Sequence, residues 1–125
     1  KLSGSYYHMW WTCTEAKKYW TRIHMWLEKM IKQTIDLKPE IFLLGILPES
    51  YNKELTYLII NVLTAARIVF AQNWKNEKIP MDEEIIKKIM ERAEMSRLTM
   101  AIREQEDYYN IWNLFYEWLD RRVRS

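Results

Sequence analysis

Apolar residues recur every three or four positions through residues 16–31, and this spacing constrains the fold more than any other feature of the chain. At about 100° per residue these positions share one broad helical face. The face consists of Ala16, Tyr19, Trp20, Ile23, Trp26, Leu27, Met30 and Ile31. We predict an amphipathic helix that begins with a capping box of Thr12 and Glu15 and runs to about Gln33.

The opposite face of this predicted helix is basic. It carries Lys18, Arg22, Lys29 and Lys32, with Lys17 beside them. Such a stripe can neutralise the phosphates of a nucleic-acid strand without reading its sequence. The solvated face of an ordinary bundle helix has a similar composition, so both interpretations stay open at this point.

Local signals divide the rest of the chain into further helices. A short helix begins at Pro39 and ends before Gly45. Asn52 caps a second long helix, which we expect to be the most buried because few charges interrupt its apolar face. Asp82 caps a third stretch, which is either one bent helix or two abutting helices, and Asp107 begins the last helix.

The apolar faces of these later helices also follow helical spacing. They comprise Leu55, Leu58, Ile59, Val62, Leu63, Ala66, Phe70 and Trp74, then Ile85, Ile86, Ile89, Met90 and Ala93, then Leu98, Ala101 and Ile102, and finally Tyr108, Ile111, Trp112, Phe115, Trp118 and Leu119. Only two Gly and three Pro occur in 125 residues, which argues against an all-β fold with frequent turns. We predict an all-α fold, in which residues 1–125 form a single compact bundle of four or five helices.

Charge and cysteine content exclude several classes of protein. The net charge of +2 is too small to indicate a nucleic-acid partner by itself. Residues 1–38, however, hold seven basic and three acidic side chains, whereas residues 81–125 hold eight basic and ten acidic ones. Cys13 is the only cysteine, so no intrachain disulfide can form. No uninterrupted apolar stretch is long enough to span a membrane, and we expect an intracellular protein of the cytoplasm or nucleus without a membrane partner.

Two further groups of side chains precede the basic helix. Exposed aromatic rings can stack on the bases of a single strand, or they can pack on the helix that follows. The aromatic cluster consists of Tyr6, Tyr7, Trp10 and Trp11. His8 and Cys13 have the spacing of the second half of a zinc knuckle, but two ligands cannot close a tetrahedral site, and we predict no metal and no cofactor. We interpret His24, at the edge of the apolar face, as a structural histidine.

Several segments together resemble the region near the C-terminus of vertebrate LINE-type (non-LTR) retrotransposon polyproteins. Residues 7–13 (YHMWWTC) and 18–20 (KYW) resemble its H-x-x-W-W-x-C…W signature. The resemblance continues in order through residues 41–48 (IFLLGILP), 63–67 (LTAAR), 74–75 (WK), 79–80 (IP) and 94–95 (EM). It covers nearly the whole chain.

In that family, this region follows the reverse transcriptase domain and begins with a knuckle of the form C-x3-C-x7-H-x4-C. His8 and Cys13 match its last two ligands, and the two upstream cysteines are absent from this chain. The resemblance therefore implies that residues 1–13 are an aromatic remnant of the knuckle and that residues 14–125 form the bundle. It also implies an RNA-binding segment without polymerase or endonuclease activity, because the residues for those activities lie far upstream in the family.

Two functional hypotheses follow, and an enzyme is the least supported third. The first is a noncatalytic domain that binds RNA or single-stranded nucleic acid through Lys17, Lys18, Arg22, Lys29, Lys32, Tyr6, Tyr7, Trp10 and Trp11. The alternative is an exapted or remnant helical module for protein interaction or self-association, through Met9, Trp10 and Trp11. The first hypothesis requires that the basic stripe stays in solvent as one uninterrupted ridge rather than pairing with carboxylates of the C-terminal half.

Overall fold

In the computed structural model, residues 7–74, 79–99 and 105–124 are described, and these ranges contain helices and no strand. The helices are α1 (His8–Thr12, one π-helical turn), α2 (Thr14–Ile31), α3 (Pro39–Phe42), α4 (Lys53–Trp74), α5 (Asp82–Thr99) and α6 (Gln105–Arg124). Four of the six are long, and they share one apolar core. The predicted compact all-α fold is confirmed.

Helix α2 buries the apolar face that its sequence predicts, and all eight predicted residues are buried. The predicted capping box is wrong. Because α1 ends with the Cys13 N–H donating to the carbonyl of His8, Cys13 becomes the N-cap of α2, and the Thr12 hydroxyl instead lies 2.9 Å from Nδ1 of His8. The helix ends at Ile31, since Lys32 adopts a left-handed conformation with φ of 60°.

The connector from α2 to α4 contains the short helix α3 at the predicted place. Gly45 has φ of 71°, and its N–H donates to the carbonyl of Ile41 at 3.0 Å. This positive φ suits glycine, which has no Cβ to clash. Ile41 and Phe42 are buried in the core, where Phe42 packs against Trp20 of α2.

Helix α4 is the central element and contacts α2, α5 and α6. Its N-terminus is capped as predicted, because Oδ1 of Asn52 accepts the N–H of Leu55 at 2.8 Å. The predicted apolar face is buried from Leu55 to Phe70, while the side chain of Trp74 lies outside the described residues. Over residues 53–73, α4 is long and apolar enough to cross a membrane, with a mean hydropathy of 1.5, but half of that stretch is buried in the bundle and an ordinary core helix passes the same test.

Helices α5 and α6 complete the bundle. Asp82 is the first residue of α5 rather than its cap, and the N–H of Met81 donates to the Glu84 carboxylate at 3.1 Å. Helix α5 continues as one element to Thr99 and leaves Leu98 exposed, whereas the predicted partners of Leu98, at positions 101 and 102, lie outside the described residues. Helix α6 buries Tyr108, Ile111, Trp112, Phe115 and Trp118, as predicted.

Candidate nucleic-acid interface

The outer face of α2 carries the predicted cations in two different states. Lys17, Lys18, Lys29 and Lys32 are exposed to solvent, while Arg22, midway between them, is half-buried. From Lys17 to Lys32 the face measures about 22 Å at 1.5 Å per residue. The opposite face of the same helix is buried in the core, so the helix separates charge from apolar surface as its sequence predicts.

Arg22, unlike the predicted lysines, is engaged in contacts within the bundle. Its Nη1 donates to Oδ1 of Asp82 at 2.8 Å and to the carbonyl of Pro80 at 3.0 Å, and its guanidinium lies 5.8 Å from the ring centroid of Tyr19. Asp82 also binds Arg122 of α6. The uninterrupted ridge that the first hypothesis requires is therefore absent, because a carboxylate from the C-terminal half of the chain pairs with Arg22. That hypothesis now depends on the cations on either side of Arg22.

The other cations of the face remain in solvent. Lys18 lies 3.8 Å from the Glu15 carboxylate, but both side chains are largely exposed, and such pairs contribute little. Within the described ranges, Lys17, Lys29 and Lys32 form no ion pair. Four of the five predicted cations can therefore meet an anion without first breaking a strong internal contact.

A groove of about 690 Å³ lies where the C-terminal half of α2 meets the C-terminal end of α6. It is lined by Met25, Trp26, Lys29, Lys32, Trp118, Arg121 and Arg122. The sequence analysis predicted Lys29 and Lys32 on the basic face of α2, but it did not predict that Arg121 and Arg122 lie beside them. The packing of Trp26 on Trp118, at 5.0 Å between centroids, brings them together.

The arginines of α6 are held against α2 by specific contacts. Arg121 donates to the carbonyl of Lys29 at 3.3 Å. The guanidinium of Arg122 lies 5.1 Å from the ring centroid of Trp26 and 5.9 Å from that of Trp118. These contacts join the basic end of α6 to the basic face of α2. A cluster of three arginines at a helix C-terminus also suits the helix dipole, so the sequence alone offers no signal for this second role.

Two smaller cavities border the other half of the face. One, of about 350 Å³, is lined by Trp11, Lys17, Trp20, Thr21 and Leu37. The other, of about 430 Å³, is lined by Thr14, Lys17, Lys18, Thr21, Arg22 and Met25. With the groove, these depressions follow the outer face of α2 along its whole length. Lys17 lines both smaller cavities, and in the first it lies beside Trp11.

The aromatic cluster divides into core and surface residues. Trp10 packs against Phe70 with 4.8 Å between ring centroids, and its carbonyl accepts the indole N–H of Trp20 at 2.7 Å. Trp10 thus serves as a packing residue. Trp11 is half-buried, 6.1 Å from Phe42, and Tyr7 is 38% exposed, so these two keep accessible ring surface. Tyr6 lies outside the described residues.

The remaining titratable residues near the site have structural contacts. His24 Nε2 lies against the carbonyl of Ile35 and 3.2 Å from the Glu28 carboxylate, as expected of a structural histidine. Burial raises the pKa of Tyr19 above its usual range, and its hydroxyl donates to the carbonyl of Ala66 at 2.7 Å. In the part of the chain that the structure describes, no group of three or more His, Cys, Asp or Glu side chains could hold a metal ion, so His8 and Cys13 gain no further ligand there.

Comparison with known proteins adds no family assignment. No protein-family model matches the sequence, and no solved structure matches the chain at a significant level. The resemblance to LINE-type polyproteins therefore rests on the sequence segments quoted above alone.

Proposed function

We propose that the chain is a noncatalytic domain that binds single-stranded RNA along the outer face of α2, as its resemblance to the C-terminal segment of LINE-type polyproteins implies. The observation that carries the proposal is the groove in which Lys29 of α2 and Lys32, directly after its C-terminus, face Arg121 of α6. Two helices far apart in sequence bring cations of one sign to one concave surface. Such concentration of charge raises the local density of a polyanion and steers its approach.

The chemistry of this surface suits a phosphate backbone better than a base sequence. Lysine binds phosphate as a flexible point charge, and arginine adds a planar fork of donors. Contacts of this kind position a strand but carry no sequence information. The half-buried ring of Trp11 beside Lys17 supplies a surface on which one base can stack. We therefore expect salt-dependent binding with weak sequence preference, and we assign the surface no chemical step.

Fluorescence anisotropy with a labelled single-stranded RNA of about 12 nucleotides tests the proposal on the full chain. The informative variant is Lys29→Glu with Lys32→Glu, because both side chains are exposed and line the groove. We expect affinity to fall at least about tenfold at low salt. The slope of log affinity against log salt, measured between about 50 and 200 mM, should shrink by about 1.4, which is two single-strand contacts.

A matched control separates the groove from net charge. Lys53→Glu with Lys87→Glu changes the charge by the same amount at exposed positions on α4 and α5. This control should lose much less affinity than the groove variant. Equal losses in the two double variants would show that RNA responds to overall charge alone and would contradict the assignment of the groove.

The alternative, self-association through Met9, Trp10 and Trp11, makes a different prediction. All three side chains are half-buried, and the two tryptophans pack against the core, which leaves limited apolar surface for a partner. Sedimentation velocity over a range of concentrations distinguishes the hypotheses. A concentration-dependent dimer that Trp11→Ala abolishes, together with no RNA binding, would favour the module for protein interaction.

A further inference from the structure

Two arginines that belong to neither the groove nor the outer face of α2 lie along α4. Arg67, on α4 itself, is half-buried, and its Nη1 donates to the carbonyl of Phe42 at 3.1 Å. Its Nη2 donates to the Thr64 hydroxyl, also at 3.1 Å. Both acceptors are neutral, so these contacts fix the guanidinium in place without neutralising its charge.

Arg92 reaches the same helix from α5. Its Nε donates to Oδ1 of Asn61 at 3.0 Å, and Asn61 is buried and is itself oriented by a bond from its amide to the carbonyl of Tyr57. This contact holds the base of the guanidinium. Its two terminal nitrogens make no hydrogen bond within residues 7–74, 79–99 and 105–124, and they remain as donors for a ligand.

The two guanidinium groups are anchored at neighbouring positions. Asn61 and Thr64 are three residues apart on α4, and side chains at this spacing are adjacent on a helix surface. Burial, and then the positive charge of Arg92, lower the pKa of Arg67. Neither arginine pairs with a carboxylate of the described residues.

Two like charges that are partly removed from water, and that no carboxylate of the described residues neutralises, repel each other, and a bound anion relieves that repulsion. Gly45 lies beside Arg67: a Cβ placed on it would be 3.9 Å from both terminal nitrogens of the guanidinium, which is an ordinary contact distance.

We propose that Arg67 and Arg92 form a second anion site, next to Thr64, that takes a phosphate group. Paired guanidinium groups match the geometry and the double charge of a phosphate, whether it is inorganic phosphate or the phosphate of an ester. The site lies on the α4–α5 side of the bundle and does not depend on the RNA-binding face of α2.

Titration of the full chain with inorganic phosphate, at constant ionic strength and monitored by NMR of the arginine Nε–H groups, tests the site. We expect saturable shifts of the Arg67 and Arg92 signals. Arg92→Gln should weaken the affinity for phosphate at least about fivefold, because Gln keeps an amide near Asn61 but loses the charge. Arg92→Lys restores a charge without the fork and should give intermediate affinity.

The matched control is Arg97→Gln on the same helix, since Arg97 is exposed and paired with Glu94. It should leave phosphate binding unchanged. A parallel titration with uridine 5′-monophosphate identifies the source of the phosphate: saturation by the nucleotide at lower concentration than by inorganic phosphate indicates an ester, and the reverse indicates the free ion. Both outcomes support the site.

NMR shifts that do not saturate with phosphate would overturn the proposed site. So would Arg67 shifts of equal size in Arg92→Gln, provided that circular dichroism shows its fold to be intact. Arg67 is avoided as the primary variant because it also holds the end of α3 through Phe42. The groove variant Lys29→Glu with Lys32→Glu should still bind phosphate at Arg67 and Arg92. This result keeps the failure of one proposal distinct from the failure of the other.

Discussion

Arg22 and Lys29 lie two turns apart on the same face of α2, yet they serve the molecule in different ways. Arg22 binds Asp82 and the carbonyl of Pro80 and so fixes the start of α5 against α2. Lys29 and its neighbour Lys32 extend into solvent at the edge of the groove. The difference arises from what lies opposite: a carboxylate of α5 near Arg22, and cations of α6 near the lysines.

This comparison shows that a basic stripe on one helix is not one functional unit. Asp82 engages Arg22 and Arg122 in internal contacts, and the same carboxylate joins α2, α5 and α6. The outer face is thus divided into an architectural middle and a solvated remainder. Substitutions on either side of this division should give opposite patterns of stability and RNA binding.

The largest effect on stability is expected for Asp82→Ala. It removes hydrogen bonds from two charged donors, half-buried Arg22 and exposed Arg122, and leaves Arg22 partly buried without its anion. We expect the free energy of unfolding to fall by about 2 kcal/mol, measured by urea denaturation. RNA affinity at low salt should rise in the same variant, because two arginines are released toward the outer face.

The control for this substitution is Asp120→Ala, which removes an exposed partner of Arg124 within one helix. Its stability should stay within about 0.5 kcal/mol of the wild type. A fall in RNA affinity in Asp82→Ala, with the helical content retained, would contradict the division of the outer face.

The sequence predicts this molecule best where a local pattern is sufficient. The apolar face of α2 is correct at every residue, Asn52 caps α4, and Gly45 ends the α3 turn, because spacing and capping chemistry depend on nearby residues alone. The predicted role of Asp82 as an N-cap was wrong, because residues distant in sequence determine its contacts. An Asp at a helix start suits the N-cap. The two arginines that donate to its carboxylate, Arg22 and Arg122, lie 60 and 40 residues away in sequence.

The dependence of long-range contacts on helix packing also explains which parts of the predicted site agree with the structure. Exposure of Lys17, Lys29 and Lys32 follows from the helical period, so the sequence placed them correctly on the outer face. Pairing of Arg22 and the approach of Arg121 to Lys29 depend on how α5 and α6 pack against α2. The capping box failed because α1 takes a π-helical turn that uses the Thr12 hydroxyl locally, and this geometry has no sequence signal here.

A smaller effect is expected for Arg22→Gln. It breaks one arm of the Asp82 contact but leaves Arg122 paired with that carboxylate. We expect a loss of about 1 kcal/mol in the free energy of unfolding, and RNA affinity within about twofold of the wild type. Urea denaturation and anisotropy on the same preparation measure both. A large loss of affinity without loss of stability would place Arg22 in the interface after all.

Lys29→Gln should show the reverse pattern. The side chain is exposed and forms no ion pair within the described ranges, so the free energy of unfolding should change by less than about 0.5 kcal/mol. Loss of one phosphate contact should reduce the slope of log affinity against log salt by about 0.7. An unchanged slope in this variant would show that Lys29 lies outside the bound strand.

The smallest effect on stability is expected for Lys18→Ala, and it tests whether the Glu15 contact resembles the Asp82 contact at all. Lys18 and Glu15 are 3.8 Å apart with side chains 68% and 56% exposed, so solvent screens their attraction, in contrast to the 2.8 Å contact of half-buried Arg22 with Asp82. We expect a change of about 0.3 kcal/mol or less in the free energy of unfolding.

Lys17→Ala is the matched control, since Lys17 is also exposed and forms no ion pair with Glu15. A loss in Lys18→Ala as large as that in Arg22→Gln would mean that the architectural part of the face extends to the N-terminal end of α2, and the solvated part would then contract to Lys17 and the groove.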